Sequence, residues 1–289
     1  MRVCAFCDQE LRKGTKTVEH ALPLWLMKAL GITDQVLSRI HWRPTAIGET
    51  GPIPPRAFVK GRHHAMPSFV SGGICANCNN GWMSDLENRA KPILTQLFDG
   101  MPPADLNPEE RALLARWAIK TAFMLDSPSL YRKRVPASHF HEFYESIAGE
   151  IPPHLVVVAG THAETSQFNW AISAMWTLLG PPSECQAALA YSRQSAYTIA
   201  MQFKKLLLVV AHWNYNPDWV ISINQSYHVP LSIRQPNWRH VSEYKPELAD
   251  SKVTLHGFAR QLIAVHSPTA ERPRTSIGYA PPLRFVKQS

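Results

Sequence analysis

Two pairs of cysteines, each with two residues between them, constrain this chain more than any other feature of its sequence. Cys4 and Cys7 open the chain, and Cys75 and Cys78 follow about seventy residues later. Each pair lets two thiolates reach one ion from a tight turn, and two such pairs complete a tetrahedral Zn²⁺ site. The sequence therefore predicts a structural zinc ion that ties the N-terminus to this later segment. The fifth cysteine, Cys185, is isolated and is interpreted as a small buried apolar residue.

The cysteine pairs also indicate the cellular compartment in which the protein resides. In a reducing cytosol, Cys-x-x-Cys pairs are metal ligands more often than disulfides. Met1 is followed at once by Arg2, Cys4 and Cys7 rather than by an apolar run. Its longest apolar stretch, 112–125, contains Arg116 and Lys120 and is too short to span a bilayer. We therefore expect a cytoplasmic protein without a membrane partner.

Composition favours a folded protein that contacts a polyanion. Apolar residues make up 45% of the 289 residues, which is too many for a disordered chain. The formal net charge is +8, and cationic side chains release counterions when they bind phosphates. Nucleic acid is the polyanion that this charge favours, although many proteins without such a partner are equally basic.

Local patterns predict several helices. Residues 24–30 suit a short amphipathic helix that ends at Gly31. A second helix is predicted over 79–90, limited by Pro92. A third begins at Asn107, the expected N-cap, with Pro108 at the first helical position and Glu109 and Glu110 in the first turn.

The remaining patterns predict an α+β fold: an N-terminal zinc-stapled module and a C-terminal α+β domain with a mostly antiparallel sheet. We place the first domain at 1–100, the second at 101–266 and a polar tail at 267–289. Alternating apolar residues predict strands, and a further apolar pattern predicts a last helix. The strands are expected at 155–159, 169–178, 197–203, 205–213 and 219–223, with a turn at Lys204-Lys205, and the helix at 251–265.

Polar residues with catalytic potential accompany the two cysteine pairs. Glu19 and His20 lie between the pairs, with Pro23 three residues after the histidine, and Asn79 directly follows the second pair. A carboxylate and an amide oxygen suit Mg²⁺ or Mn²⁺, and a neutral His can accept a proton from water. Neighbours in a strand point to opposite faces, so Glu19 and His20 need a local irregularity to share one site. Asn79 could also simply cap a helix.

This pattern resembles the HNH (ββα-metal, or His-Me finger) endonuclease superfamily, and most of all its subgroup with two zinc knuckles, similar to recombination endonuclease VII-type nucleases. The resemblance covers about residues 1–98. It implies a ββα-metal module in which an antiparallel hairpin holds the acidic-His pair and the next helix presents Asn79. It also implies that Glu19 and Asn79 bind a catalytic Mg²⁺ or Mn²⁺ and that His20 is the general base. Cleavage would leave a 5′-phosphate and a 3′-hydroxyl.

The sequence departs from the family pattern in three ways. Glu19 replaces the more frequent Asp, and Asn79 replaces a final His. The spacing from His20 to Cys75 is unusually long and contains no Asn. The residue that orients the histidine is therefore expected at 69–72.

A basic insertion at 39–67 lies beside this predicted site, and its part from 43 onwards is expected to be irregular because it is rich in Pro and Gly. Its cationic side chains outnumber its acidic ones by five to one. We predict that these cationic side chains contact the phosphate backbone of a nucleic acid. The alternative is that the insertion is an ordinary solvated loop. The cationic residues are Arg39, Arg43, Arg56, Lys60 and Arg62.

The sequence thus predicts a metal-dependent endonuclease with a structural Zn²⁺ and a catalytic Mg²⁺ or Mn²⁺. Its expected substrate is duplex or branched DNA rather than RNA, and a homodimer is compatible with the chain. One alternative is a non-catalytic zinc-dependent module that binds nucleic acid or another partner. A second alternative is a structural zinc protein with no role in nucleic-acid chemistry.

Overall fold

The computed structural model of the chain combines helices with mainly antiparallel strands, so the fold class is α+β, as the sequence predicts. The residues that the structure describes are 2–12, 16–37, 40–42, 47–48, 51–52, 57–59, 64–128, 133–173, 177–179, 181, 183–184, 186–188, 190, 196–213, 220–223, 228–232, 238–240 and 263–266.

The helices and strands within these residues are numbered in chain order. The helices are α1 (Leu24–Leu30), α2 (Ala76–Cys78), α3 (Ser84–Phe98), α4 (Pro108–Asp126) and α5 (Ala137–Glu145), with a π-helical turn over Asn79–Met83. The strands are β1 (Lys16–His20), β2 (Val36–Leu37), β3 (Ile40–Trp42), β4 (Ile47–Gly48), β5 (Gly51–Pro52), β6 (Ala57–Val59), β7 (His64–Ala65), β8 (Val70–Cys75), β9 (Leu155–Ser173), β10 (Thr177–Leu179), β11 (Tyr197–His212), β12 (Val220–Ile223), β13 (His228–Ser232), β14 (Trp238–His240) and β15 (Ile263–His266).

An antiparallel pair of strands that are distant in sequence organises the N-terminal part. Strands β1 and β8 pair with Lys16 opposite Cys75 and His20 opposite Val70. The register shifts between Thr17 and Glu19, which marks a β-bulge. Strand β8 leads directly into α2, so the local order is strand, strand, helix.

The segment between β1 and β8 is more regular than the sequence predicts. The short strands β2 and β7, β3 and β6, and β4 and β5 form three nested antiparallel pairs. They fall at 36–65 and overlap the insertion that was expected to be irregular from residue 43. The prediction was wrong for these short strands because Gly and Pro mark turns without excluding paired backbone between them.

Helix α1 has the predicted bounds. It ends at Gly31, whose φ of 65° lies in the left-handed region that glycine adopts without a steric cost. One face of the helix buries Leu26, Met27 and Leu30. The helix-stop signal in the sequence was therefore sufficient here.

Helix α3 runs through Pro92, so the predicted helix end at this residue was wrong. The proline removes the backbone N–H that would bond to the carbonyl of residue 88, at a cost of about 3 kcal/mol. Beyond the proline the helix buries Ile93, Leu94 and Leu97. Full burial of each such side chain contributes about 1.5–3 kcal/mol, which is enough to continue the helix.

Helix α4 begins as the sequence predicts. Asn107 Oδ1 accepts the backbone N–H of Glu110, and Glu110 Oε2 accepts that of Asn107, which completes a capping box. From Trp117 to Asp126 every residue of the helix is buried, including Lys120 and Asp126. The helix therefore runs through the interior and carries charged groups into it.

A three-stranded antiparallel sheet, in the order β11-β9-β13, forms the C-terminal core. The predicted strands at 155–159 and 169–178 join into β9, which ends at Ser173, and those at 197–203 and 205–213 join into β11. The expected turn at Lys204 is instead a bulge, with a φ of 52° at Lys204 and a shift in register.

The second sheet is mixed and has the order β10-β15-β12-β14. Two of its strand pairs are parallel, and the β12–β15 pair is antiparallel. The helix predicted over 251–265 was wrong at its C-terminal end, because Ile263–His266 pairs as β15. The tertiary pairing overrides the local helical pattern there, and residues 251–262 lie outside the described part.

The hydrophobic core is one continuous cluster of buried side chains that runs from Cys4 to Leu231. It includes members on both sides of residue 100, where we drew the domain boundary, and this division stays a prediction. None of the helices in the described ranges is both long and apolar enough to cross a membrane.

Candidate functional site

The four paired cysteines meet at one point, as their spacing predicts. Cys4 and Cys7 come from the N-terminal turn, Cys75 ends β8 and Cys78 ends α2. Their Sγ atoms all lie within 4.8 Å of one another, and none of the four forms a disulfide. We call this group the four-cysteine cluster.

The geometry of this cluster suits a tetrahedral ion. The Sγ atoms of Cys7 and Cys75 are 3.6 Å apart, close to the edge of about 3.8 Å in a tetrahedron with Zn–S bonds of about 2.3 Å. Two backbone N–H groups donate to sulfur, from Cys75 to Cys4 and from Cys78 to Cys75, each at 3.4 Å. Such bonds hold a thiolate in place.

The electrostatics of the cluster also favour a cation. A hydrogen bond from the Cys78 thiol lowers the pKa of Cys4 to about 4, even though burial acts in the opposite direction. Burial raises the pKa of Cys7 to about 11, and the neighbouring Cys4 raises the pKa of Cys78. The Cys4 thiol thus ionises readily, whereas Cys7 and Cys78 need a nearby cation to ionise. The cluster could hold a metal such as zinc.

Aromatic side chains pack beside the four-cysteine cluster. The Phe6 ring, next to Cys7, meets the Trp82 ring at 5.1 Å and the Phe140 ring at 5.2 Å. Phe6 is fully buried. These contacts fix the N-terminal turn against α5 and the helical segment after Cys78.

Glu19 and His20 both lie at the end of β1, beside the bulge. A strand without a bulge would send these neighbours to opposite faces. Both side chains are half-buried. His20 is close enough to Glu87 of α3 to lower the pKa of that carboxyl, and Glu19 is close enough to raise it. Glu19, His20 and Glu87 are therefore close enough to interact electrostatically.

A buried lysine of α4 forms ion pairs with both of these glutamates. The Lys120 side chain is 0% exposed, and its Nζ donates to Glu19 Oε1 at 2.7 Å and to Glu87 Oε1 at 2.5 Å. Glu19 and Glu87 are 12% and 16% exposed, so solvent screens these ion pairs only weakly. We call Glu19, Lys120 and Glu87 the acid–lysine cluster.

The charges of this cluster do not cancel. Burial favours the neutral form of Lys120, but the Glu87 and Glu19 carboxylates outweigh it and raise the lysine pKa. Burial raises the pKa of Glu87, and Lys120 only partly opposes that shift. When both carboxyl groups are ionised, they share one ammonium group, which leaves one negative charge in excess within the cluster.

Asn79 begins the π-helical turn after Cys78. Its Nδ2 donates to Thr17 Oγ1 of β1 at 3.1 Å. The amide oxygen Oδ1 makes no hydrogen bond with any residue that the structure describes. The side chain is therefore anchored through its nitrogen and presents its oxygen as an acceptor.

The cationic residues that were predicted to contact nucleic acid lie outside the described residues. They are Arg39, Arg43, Arg56, Lys60 and Arg62. Cys185 also lies outside them. Their predicted roles stay predictions.

Sequence reasoning missed several polar groups close to these sites. In the sequence Lys120 is only one of the charges that interrupt an apolar stretch, and no spacing links it to Glu19, 101 residues away. No role at the site was predicted for Glu87. A buried group of histidines, His139, His154 and His212, carries no sequence signal because its members are spread over three separate segments.

Comparison with known proteins gives no relative: no family model, no curated protein and no solved structure matches this chain. Its function is therefore inferred from its own residues.

Proposed function

We propose that this chain is a metal-dependent HNH endonuclease that hydrolyses phosphodiester bonds of DNA. One observation carries the proposal: β1, which bears Glu19 and His20, pairs with β8, and β8 continues into the helical segment that bears Asn79. This is the order of strand, strand and helix that the resemblance of the sequence to the superfamily implies. In this proposal the zinc bound by the four cysteines is structural, because four thiolates leave no open position.

Glu19 and Asn79 are the proposed ligands of a catalytic Mg²⁺ or Mn²⁺. Lys120 contacts only Oε1 of Glu19, which leaves Oε2 for a cation, and Asn79 keeps Oδ1 in the same way. Oxygen ligands of this kind suit hard divalent cations. The negative charge in excess in the acid–lysine cluster adds a further attraction. When bound, such an ion neutralises charge on the phosphate and on the leaving oxygen.

His20 is the proposed general base. It accepts a proton from the water whose oxygen forms the new bond to phosphorus, while the bond from phosphorus to the 3′-oxygen breaks. The 3′-oxygen leaves with a proton from solvent, which gives a 5′-phosphate and a 3′-hydroxyl. His20 lies opposite Val70, within the segment 69–72 where the residue that orients it is expected.

DNA is the proposed substrate because of charge. The chain carries a formal net charge of +8, and five of its cationic residues fall in the insertion that leads from β1 back to β8. Phosphate contacts by such side chains supply affinity without reading sequence.

A specific observation favours a second candidate, a zinc-dependent module that binds nucleic acid without cutting it. Lys120 already satisfies one oxygen of Glu19, and a carboxylate with an internal counter-ion attracts a metal less strongly than a free one. In this second candidate the acid–lysine cluster is only a structural link between β1, α3 and α4.

Cleavage of supercoiled plasmid in Mg²⁺ or Mn²⁺ tests the proposal. We expect the wild type to nick or linearise the plasmid and His20→Ala to bind it without cutting. His141→Gln is a matched control, because His141 lies on α5 with its side chain 41% exposed and has no proposed catalytic role. If wild type and His20→Ala bind plasmid equally and neither cuts plasmid, branched DNA or RNA, the binding module is correct.

A further inference from the structure

Three histidines from separate segments converge at one end of the three-stranded sheet. His139 lies in α5, His154 directly precedes β9, and His212 ends β11. One ring nitrogen from each lies within 4.8 Å of the others. The ring centroids are 4.5 Å apart for His139 and His154, 4.5 Å for His139 and His212, and 5.0 Å for His154 and His212. We call these residues the histidine cluster.

One nitrogen of each imidazole faces an oxygen atom that lies outside the three rings. His139 Nδ1 is 3.0 Å from the Tyr197 hydroxyl, and His212 Nδ1 is 3.2 Å from the backbone carbonyl oxygen of His154. His154 Nε2 lies 3.4 Å from Glu142 Oε2. The contacts of His139 and His212 are hydrogen bonds of the kind that orient metal-binding histidines through the ring nitrogen that does not bind the ion. His154 Nε2 lies near the Glu142 carboxylate without a hydrogen bond to it.

The tautomer of His212 follows from its partner. A carbonyl oxygen only accepts hydrogen bonds, so His212 Nδ1 carries the proton and donates it. The ring is neutral, because burial and the neighbouring His154 lower the pKa of His212 to about 4. Its Nε2 therefore has a free lone pair, which is the form that binds a metal.

The other two rings share this environment. Burial lowers the pKa of His139 to about 3 and also lowers the pKa of His154. No hydrogen bond joins any two of these three described rings, and His154 Nε2 is buried without one. Imidazole nitrogens brought together in a buried place without hydrogen bonds between them cost free energy unless something occupies the space that they face.

We propose that His139, His154 and His212 bind one Zn²⁺ or a similar divalent transition-metal ion, separate from the ion of the four-cysteine cluster. Three imidazoles are a common ligand set for zinc, and imidazole also suits Ni²⁺ and Cu²⁺. The alternative is an aromatic packing contact. That alternative does not explain why each ring faces an oxygen on its outer side.

The proposed ion links parts of the fold that also touch the four-cysteine cluster. Helix α5 carries His139, and the same helix carries His141, whose Nδ1 lies 3.1 Å from the backbone oxygen of Phe6. Phe6 lies between Cys4 and Cys7. A metal at the histidine cluster would therefore fix α5 to β9 and β11 on one side, while α5 braces the N-terminal turn on another.

Metal stoichiometry of the zinc-loaded full-length chain tests the proposal. After removal of free zinc we expect two equivalents per chain in the wild type and one in His154→Gln and in His212→Gln. His141→Gln, a histidine of α5 outside the cluster, should keep two. One equivalent in the wild type, or two in a folded His154→Gln variant, would overturn the proposal.

A second measurement needs no variant and so does not depend on how the variants fold. In cadmium-substituted wild type, ¹¹³Cd NMR separates an ion bound by four sulfurs from one bound by nitrogen and oxygen. With Mg²⁺ in excess to fill the site proposed at Glu19 and Asn79, we expect one resonance of each kind, and a sulfur-bound resonance alone would contradict the histidine site. Neither experiment depends on cleavage of DNA, so both stand apart from the proposed endonuclease activity.

Discussion

The four-cysteine cluster and the acid–lysine cluster sit at opposite ends of the β1–β8 hairpin and differ in how they are encoded. Each cysteine pair spans four residues. Cys75 ends the strand that brings the second pair to the N-terminal turn, and Cys78 follows three residues later. The acid–lysine cluster joins Lys120 to carboxylates 101 and 33 residues away. A metal site of short-range pairs can be seen in the sequence, whereas a buried ion pair depends on tertiary packing that the sequence does not reveal.

The two clusters also differ in what balances their charge. Thiolates at the four-cysteine cluster need an external cation, and a zinc ion at such a site contributes on the order of 10 kcal/mol to folding. The acid–lysine cluster carries its own ammonium group, so it holds the hairpin against α3 and α4 without an ion. Removal of one side chain should therefore destabilise the two regions to different degrees. Loss of a cysteine acts through the lost metal ion, and loss of the lysine acts through carboxylates left without a counter-ion.

Loss of a cysteine ligand should have the largest effect. We expect Cys75→Ser to lose one equivalent of zinc and to destabilise the chain by several kcal/mol, on the order of a structural zinc site. Cys185→Ser, outside both pairs, should keep its zinc. Metal analysis and thermal melting report both effects. Full zinc content with an unchanged melting temperature in Cys75→Ser would contradict a zinc site at the four cysteines.

Loss of the buried ammonium group should have the next largest effect. Lys120→Met leaves two carboxylates without their partner, and breaking a buried pair in this way costs about 3–5 kcal/mol. Denaturant unfolding measures this cost. The exposed Lys133→Met variant should change the unfolding free energy by less than about 0.5 kcal/mol. Equal losses in the two variants would show that the cluster contributes nothing specific.

Loss of Glu87 should cost less, because Lys120 then remains paired with Glu19. We expect Glu87→Gln to leave the unfolding free energy at neutral pH unchanged or to raise it, because the raised pKa of Glu87 means that the folded chain favours the neutral carboxyl over the carboxylate. The effect depends on pH: burial raises the pKa of Glu87 in the folded chain, so the folded state binds more protons. The unfolding free energy should therefore fall as the pH rises from the unfolded to the folded pKa. Glu87→Gln should lack this contribution, and identical pH slopes would contradict the assigned shift.

Changes in the basic insertion should leave the stability of both clusters unaffected. Neutralising Arg56, Lys60 and Arg62 together should weaken DNA binding and reduce the slope of log affinity against log salt by about one for each phosphate that no longer meets a cation. The melting temperature serves as the control. A slope equal to that of the wild type would exclude these residues from the DNA interface.

The elements that the sequence predicts well carry strong local signals. Helix α1 ends at a glycine in the left-handed region, and α4 begins with a capping box. The meeting of the four cysteines follows from two Cys-x-x-Cys pairs, a spacing that is typical of zinc sites. In each of these places the local chemistry and the tertiary fold agree.

The elements that the sequence predicts wrongly depend on distant partners. Pro92 does not end α3, because apolar residues after it find a core to enter. Residues 263–266 form a strand because β10 and β12 lie beside them. Lys120 and the histidine cluster are assembled from segments that share no motif. The residues that make these contacts show no regular period or spacing in the sequence, so a single sequence does not reveal the contacts.

In the proposed endonuclease, Glu19 binds a catalytic divalent cation although Lys120 already contacts it. Binding of Mn²⁺ to the zinc-loaded chain, followed by electron paramagnetic resonance of the free ion, tests this claim most directly. We predict that the wild type binds Mn²⁺ and that Glu19→Gln binds it at least about tenfold more weakly, a loss of about 1.4 kcal/mol. Equal Mn²⁺ affinity in the two proteins would contradict the claim and leave the acid–lysine cluster as a structural link only.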